Sequence, residues 1–510
     1  MKRKITLAVL LCGLHCTAQM FQKTYNFFGA PEVGLSVHQT SDGGYVVAGT
    51  SSGTSNFNAV VFKTDASGDF SWTRLFDNGR REEFRSVVQT PGGGFLAAGV
   101  SNSFQPDSLN EFYLVKLSAI GNVLWSKTYG WSMGLDENGA NYICPTADGG
   151  YMIGGFGDSF GTIYMKIDSM GNVIWDKKIP GVIFGSDGVK SIKQTTDGGF
   201  IIAGNVNSYF KTDGSGNVIW GKQLGFPPNI YVSYAQQTSD GGYIITGYSN
   251  SFGSGGYDML LLKTNSSGDT LWCKTYGTSD ADYVYSALQT TDGGYILVGG
   301  TGPFYLDVYL VKTDANGNVL WSKKYYDVPG DQTGYSVEQT SDGGFIISSN
   351  SNAGSNHVYL IKTDAIGTSG CNETNVATLV TTPSIPITAA STLSGPFLSY
   401  TNAVVSNSNI PGIATTICYN FPTATSDEKA FKNSTLFPNP FTTTATIKFP
   451  TDLHSATFRL YNLYGQLVQE KNNISGKEIL LTRENLGSGV YVYEVTDKEK
   501  KICGGKAVVY

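Results

Sequence analysis

Charge is scarce in this chain. Asp, Glu, Lys and Arg make up 15% of its 510 residues, against about 25% in an ordinary soluble domain. What charge there is leans acidic, at −6, which argues against nucleic acid and anionic membranes as general partners. Histidine is rarer still. His15, His38, His357 and His454 are scattered too widely for a shared metal or triad site. The patterns His-Glu-x-x-His and the phosphate loop are absent, and with them the signatures of zinc metalloproteases and P-loop nucleotide-binding enzymes. No CxxC spacing occurs, which removes the zinc-ribbon and dithiol readings. No apolar run approaches the roughly 20 residues of a membrane-spanning helix. From the sequence we assign no catalytic residue, no metal ligand and no cofactor.

The start of the chain reads as an address. Met1-Lys2-Arg3-Lys4 is a positive region, Ile5 to Leu14 a short apolar core, and Cys16-Thr17-Ala18 a small-residue cleavage site. Residues 1–18 are therefore expected to be a signal peptide. Its removal takes Lys2, Arg3 and Lys4 and moves the formal charge from −6 to −9. Cys16 is also positioned for lipid attachment, but His15 stands where that signal wants a small residue, so the lipoprotein reading ranks second. Five cysteines follow: Cys144, Cys273, Cys371, Cys418 and Cys503. Cys371 and Cys418 bracket a compositionally odd segment and are the candidate disulfide, contributing about 4 kcal/mol in the chain-entropy picture. The alternative is five reduced thiols.

What the chain has in plenty is Gly (63), Tyr (30) and Phe (27), a mixture suited to short strands and tight turns. It also repeats itself. Gln39-Thr40-Ser41-Asp42-Gly43-Gly44-Tyr45 returns as Asp-Gly-Gly at 148, 197, 240, 292 and 342, and in degraded form as Gly92-Gly93-Gly94, at spacings of 50, 56, 49, 43, 52 and 50. A period near 50 is that of a four-stranded propeller blade. Each unit supplies a short strand ending in Gln-Thr, a glycine hairpin, two nearly continuous apolar strands, and a second turn leading to a strand with Trp. Trp72, Trp125, Trp175, Trp220, Trp272 and Trp321 mark six such last strands. The seventh unit lacks one, while Phe21-Gln22-Lys23-Thr24-Tyr25 matches Trp272-Cys273-Lys274-Thr275-Tyr276. The expected fold is all-β: a seven-bladed β-propeller over 19–370, with the N-terminal strand closing the last blade so that no free edge remains.

The element Asp314-Ala315-Asn316-Gly317-Asn318-Val319-Leu320-Trp321 resembles the tryptophan-docking motif of quinoprotein propellers, one residue shorter between Asp and Gly. The resemblance implies a blade-packing device and no quinone chemistry. Residues 371–430 are poor in charge and rich in Thr and Ser, and read as a β-rich connector. The remainder, 431–510, alternates like an immunoglobulin-like β-sandwich. Phe437-Pro438-Asn439-Pro440-Phe441, Leu460-Tyr461-Asn462-Leu463-Tyr464-Gly465-Gln466, Leu486-Gly487-Ser488-Gly489-Val490-Tyr491 and the terminal Lys506-Ala507-Val508-Val509-Tyr510 resemble the type A C-terminal sorting domain of the type IX secretion system of Bacteroidetes. Cys503-Gly504-Gly505 departs from that pattern. The resemblance implies a secretion-machinery partner, export, and a secreted protein, released or anchored at the outer-membrane surface.

On a propeller, connections between second and third strands, and between units, share one face. Here they vary in length, while the turns of the opposite face do not. Variable loops on a rigid ring are where recognition is expected. The candidate ligand-binding residues on that face are Trp131, Asp136, Glu137, Arg80, Arg81 and Asp282. The repeated Asp of Asp-Gly-Gly reads as turn chemistry in preference to calcium, which needs a denser oxygen cluster. The reading is a non-catalytic binding or adhesion module for a glycan or surface protein. The alternatives are a polysaccharide-acting hydrolase or lyase using paired carboxylates and a structural envelope protein.

Overall fold

The computed structural model describes residues 20–27, 31–52, 56–104, 109–130, 138–157, 161–179, 188–204, 207–225, 230–327, 330–352, 357–389, 399–402, 407–408, 413–420, 435–439, 441–461, 467–483, 486–487, 489–497 and 500–509. The signal segment 1–18 and the candidate site residues Trp131, Asp136 and Glu137 lie outside them. The chain divides into two units, Met1–Pro422 and Thr423–Tyr510.

The first unit is all-β and propeller-like. Among the described residues it holds seven antiparallel sheets of one plan. In the sixth, Ala281–Gln289, Tyr295–Gly302, Asp307–Thr313 and Val319–Tyr325 pair in chain order. We call these strands a to d and number the sheets 1 to 7 from Glu32. The middle strands b and c are buried along nearly their whole length, for example Asp258–Thr264 in sheet 5. That is why they read as apolar runs: each is covered on both faces by neighbouring sheets. First strands of successive sheets touch, and those of sheets 7 and 1 touch as well, so the sheets close into a ring. The seam is the one expected. Met20–Asn26 supplies strand d of sheet 7, pairing Phe21 with Lys362 and Tyr25 with Val358.

The joints between sheets repeat. A Cβ on Gly317, at φ 73°, would come within 2.8 Å of the Trp272 ring of the previous sheet. The same holds for Gly121 under Trp72 and Gly268 under Trp220, and Phe21 covers Gly68. Only glycine allows both the left-handed turn and the ring stacked on it. Tyr276 Oη donates to the Gly317 carbonyl at 2.8 Å, and Tyr25 Oη to that of Gly68 at 2.7 Å. Tryptophan docking is thus the packing device here, as the sequence motif implied.

The segment after the ring is a belt. Glu373–Asn375, Leu379–Thr381 and Ile387–Ala389 pair with strands d of sheets 6, 5 and 4, and Ser399–Asn402 and Asn407–Ser408 with those of sheets 2 and 1. Ile413–Asn420 finishes on Met20–Asn26 in sheet 7. The outer strand of a blade otherwise presents unpaired N–H and C=O groups, and the belt satisfies them on six sheets among the described residues. Lys323 Nζ meets Glu373 Oε1 at 2.8 Å, and the Thr275 and Thr381 hydroxyls meet at 2.6 Å. Cys371 is disulfide-bonded, while Cys144 and Cys273 are free and buried. The Cys418 side chain and that of Cys503 lie outside the described part.

The second unit is also all-β. Thr444–Tyr461, the longest strand, pairs with Thr435–Phe437, Leu467–Thr482 and Gly489–Asp497, and the last of these pairs with Lys500–Val509. Ile447, Phe458, Leu460 and Val495 sit at the centre of its apolar core.

Candidate functional site

The two ends of the ring are built differently. At the a–b turn end, polar groups are spent inside the protein. Asp240 Oδ1 accepts from Thr238 Oγ1 at 2.5 Å and from Gly242 N at 3.0 Å, and Lys263 reaches Asp240 Oδ2 at 2.8 Å. The same Lys–Asp tie holds Asp42, Asp197, Asp292 and Asp342. Asp148 is held down to about 2, first by its hydrogen bond from Lys166 and then by Thr146. These acids are turn anchors, each with a lysine for its counter-charge. A second tie links sheets: the backbone N–H of Ser239 donates to Gln289 Oε1 at 2.8 Å, and Ser341 N to Gln39 Oε1 at 2.7 Å across the seam.

At the opposite end, tyrosines gather. Tyr231 and Tyr248 of sheet 5 stack at 5.1 Å. Tyr257 lies 5.3 Å from Tyr283, and Tyr248 lies 5.1 Å from Tyr283. Tyr285 continues the series to Tyr335 of sheet 7 at 5.6 Å. Six rings from three sheets form one terrace. Tyr231 is 43% exposed and the other five are half-buried. Aromatic rings in such a place offer flat apolar faces with hydroxyls at the rim.

The terrace runs into an axial channel of about 640 Å³ lined by strand a of every sheet, within the size range of ligand pockets. Tyr285 and Tyr335 belong to both. Among the described residues three cations line the channel, Arg85, Lys190 and Lys193, against a single carboxylate, Glu338. Glu338 is engaged: Oε1 lies 3.0 Å from His38 Nδ1, and Oε2 accepts from Gln39 N at 2.6 Å. Arg85 is braced by Glu83 Oε2 at 2.9 Å and Asn141 Oδ1 at 2.8 Å. Lys193 lies over the rings of Tyr142 and Tyr234, at 5.3 and 5.9 Å from their centroids.

The candidate residues named from the sequence are dispersed. Arg81 is tied to Glu83 Oε1 at 2.7 Å and lies over the Phe57 ring. Arg80 is exposed and donates to the Asn102 carbonyl at 3.3 Å. Asp282 is fully buried and accepts from Thr278 N at 2.7 Å. Its neighbour Asp258 is also buried, and burial, with Asp282 adding to it, pushes the Asp258 carboxyl up to about 6. The terrace and Lys193 were missed because their members are scattered from 142 to 335. The available signal was Tyr recurring at the start of strand a in three successive units.

Residues 435–509 match the family described as a secretion system C-terminal sorting domain. The match marks the chain for export by the type IX secretion system, as a secreted or outer-membrane-surface protein. No curated protein matches the chain. Among solved structures, Sqt1 of Chaetomium thermophilum is 10% identical, with 67% of this chain and 97% of that one covered and a TM-score of 0.41. YCF48 with a bound peptide is 11% identical, with 67% and 96% covered and a TM-score of 0.43. No described helix is long and apolar enough to cross a membrane.

Proposed function

We propose that the chain is a secreted, non-catalytic glycan-binding module: a seven-bladed propeller over 19–370, belted by 371–430 and exported by an immunoglobulin-like sorting domain over 431–510. The machinery of type IX secretion is its partner in transit, and the mature protein is released or held at the outer-membrane surface. The observation that carries the binding role is the tyrosine terrace, six connected rings on the end of the ring where loops vary. Saccharide rings present C–H faces that stack on such surfaces, and tyrosine hydroxyls satisfy their edges. The Cys371–Cys418 disulfide belongs to the same reading. Gln22 faces Cys418 in the strand register, and its amide donates to the Cys371 carbonyl at 2.5 Å, so both cysteine backbones lie beside the same residue. That bond would fasten the belt to the seam.

A glycan-array screen of the full chain, beside Tyr231→Ala and Tyr248→Ala, tests the role. The expected result is saturable binding that each variant weakens about tenfold, equivalent to about 1.4 kcal/mol. Absence of binding to every glycan would overturn it and favour a structural envelope role. Hydrolysis of a bound polysaccharide would favour the enzyme reading.

A further inference from the structure

The channel below the terrace has a charge the rest of the protein does not. The chain as a whole is acidic, at −6, yet among the described residues the channel wall carries three cations to one carboxylate. Glu338 is spent on His38 and on the backbone of Gln39, and Arg85 is spent on Glu83 and Asn141. Lys193 is different. The groups that act on its ammonium are Tyr142, Tyr234 and Cys144. Burial pushes the ionisation of the Tyr234 phenol and the Cys144 thiol upward, so these two are neutral at pH 7. They offer ring faces and oxygens and no counter-charge. The two ring faces hold the Lys193 ammonium in its charged form without a carboxylate, and a positive wall in a low-dielectric cleft concentrates anions.

We propose that the axial channel is an acidic-sugar subsite, in which Lys193 receives the carboxylate of a uronate residue and Tyr142 and Tyr234 flank it. The sugars beyond that residue lie along the terrace, because Tyr285 and Tyr335 join the two. This inference rests on the glycan-binding reading and narrows it to anionic saccharides. Sugar is favoured over an acidic peptide because the channel opens onto stacked rings, which suit pyranose faces.

The test is calorimetric titration of the full chain with hexagalacturonate and with neutral cellohexaose, in the wild type, Lys193→Met and Lys193→Arg. Hexagalacturonate is expected to bind more tightly than cellohexaose. Lys193→Met should weaken it about tenfold and leave the neutral sugar unchanged. Lys193→Arg, which keeps the charge and the bulk, should stay within about threefold. Raising salt from about 0.05 to 0.5 M should weaken only the acidic ligand, a readout that needs no variant. Equal binding of both sugars, indifferent to Lys193→Met and to salt, would overturn the subsite and leave the glycan reading standing. Failure of both sugars would overturn both. Binding of a glutamate hexapeptide, lost in Lys193→Met, with no binding of either sugar, would overturn the saccharide assignment in favour of an acidic peptide.

Discussion

The two ends of the ring use the same strands for opposite purposes. At the turn end, almost every polar group has a partner inside the protein: Asp with Lys and Thr, Gln with the next sheet's backbone, Tyr hydroxyl with a glycine carbonyl. At the loop end, the tyrosines of sheets 5 to 7 meet one another and solvent. Uniform turns make joints, and irregular connections leave surface available for recognition. The difference teaches that in a repeat the conserved phrase marks the scaffold, while the site sits where the units stop agreeing.

The strongest way to break the comparison is at a joint. Gly317→Ala puts a methyl into the Trp272 ring at a positive φ and should cost about 3–4 kcal/mol, lowering the thermal midpoint sharply. Gly293→Ala, also at positive φ but with open space around it, should cost only about 1 kcal/mol. Equal losses would mean that ring stacking does not hold the joints.

A smaller effect lies at the loop end, where Asp258 and Asp282 are buried together. The Asp258 carboxyl titrates near 6, above its usual 3.8, because the buried anion is disfavoured. The folded state therefore holds a proton that the unfolded state has lost, and stability falls as pH rises from about 4 to about 6. Asp258→Asn should remove that fall and add about 2 kcal/mol at pH 7, measured by denaturant unfolding across pH. A variant that keeps the wild-type pH slope would place the cost elsewhere.

The smallest effect sharpens the exception among the joints. Between sheets 2 and 3 the Gln tie has no counterpart: Pro91 has no N–H to give, and Pro145 stands where other units have Gln. Pro91→Ser with Pro145→Gln should restore it. A double-mutant cycle should read a favourable coupling of about 0.5 kcal/mol, with neither single change giving it.

Much of this was legible beforehand. The period near 50, the glycine hairpins and the docking tryptophans each have a local spelling, and the closing strand was visible because Phe21 to Tyr25 repeats a phrase found elsewhere. The belt was not. Strands of three residues such as Ile387–Ala389 have no period to read, and their partners lie far away in sequence. The lone cation was equally hidden. Lys193 resembles any strand lysine until the fold surrounds it with phenols from two other sheets.

The seam has a consequence in time. Met20–Asn26 is held on one edge by His357–Thr363 and on the other by Ile413–Asn420, and Gln22 accepts from Tyr359 across 337 residues of chain. The strand made first must therefore wait for those made last. Phe21 and Tyr25 can meet Tyr45, Phe62 and Gly68 of sheet 1 early, but the strand that carries them has no strand to pair with until then. Closure over so long a separation is slow. Assembly then has a fixed final act: six sheets can form as their strands appear, and the seventh locks only when the belt arrives.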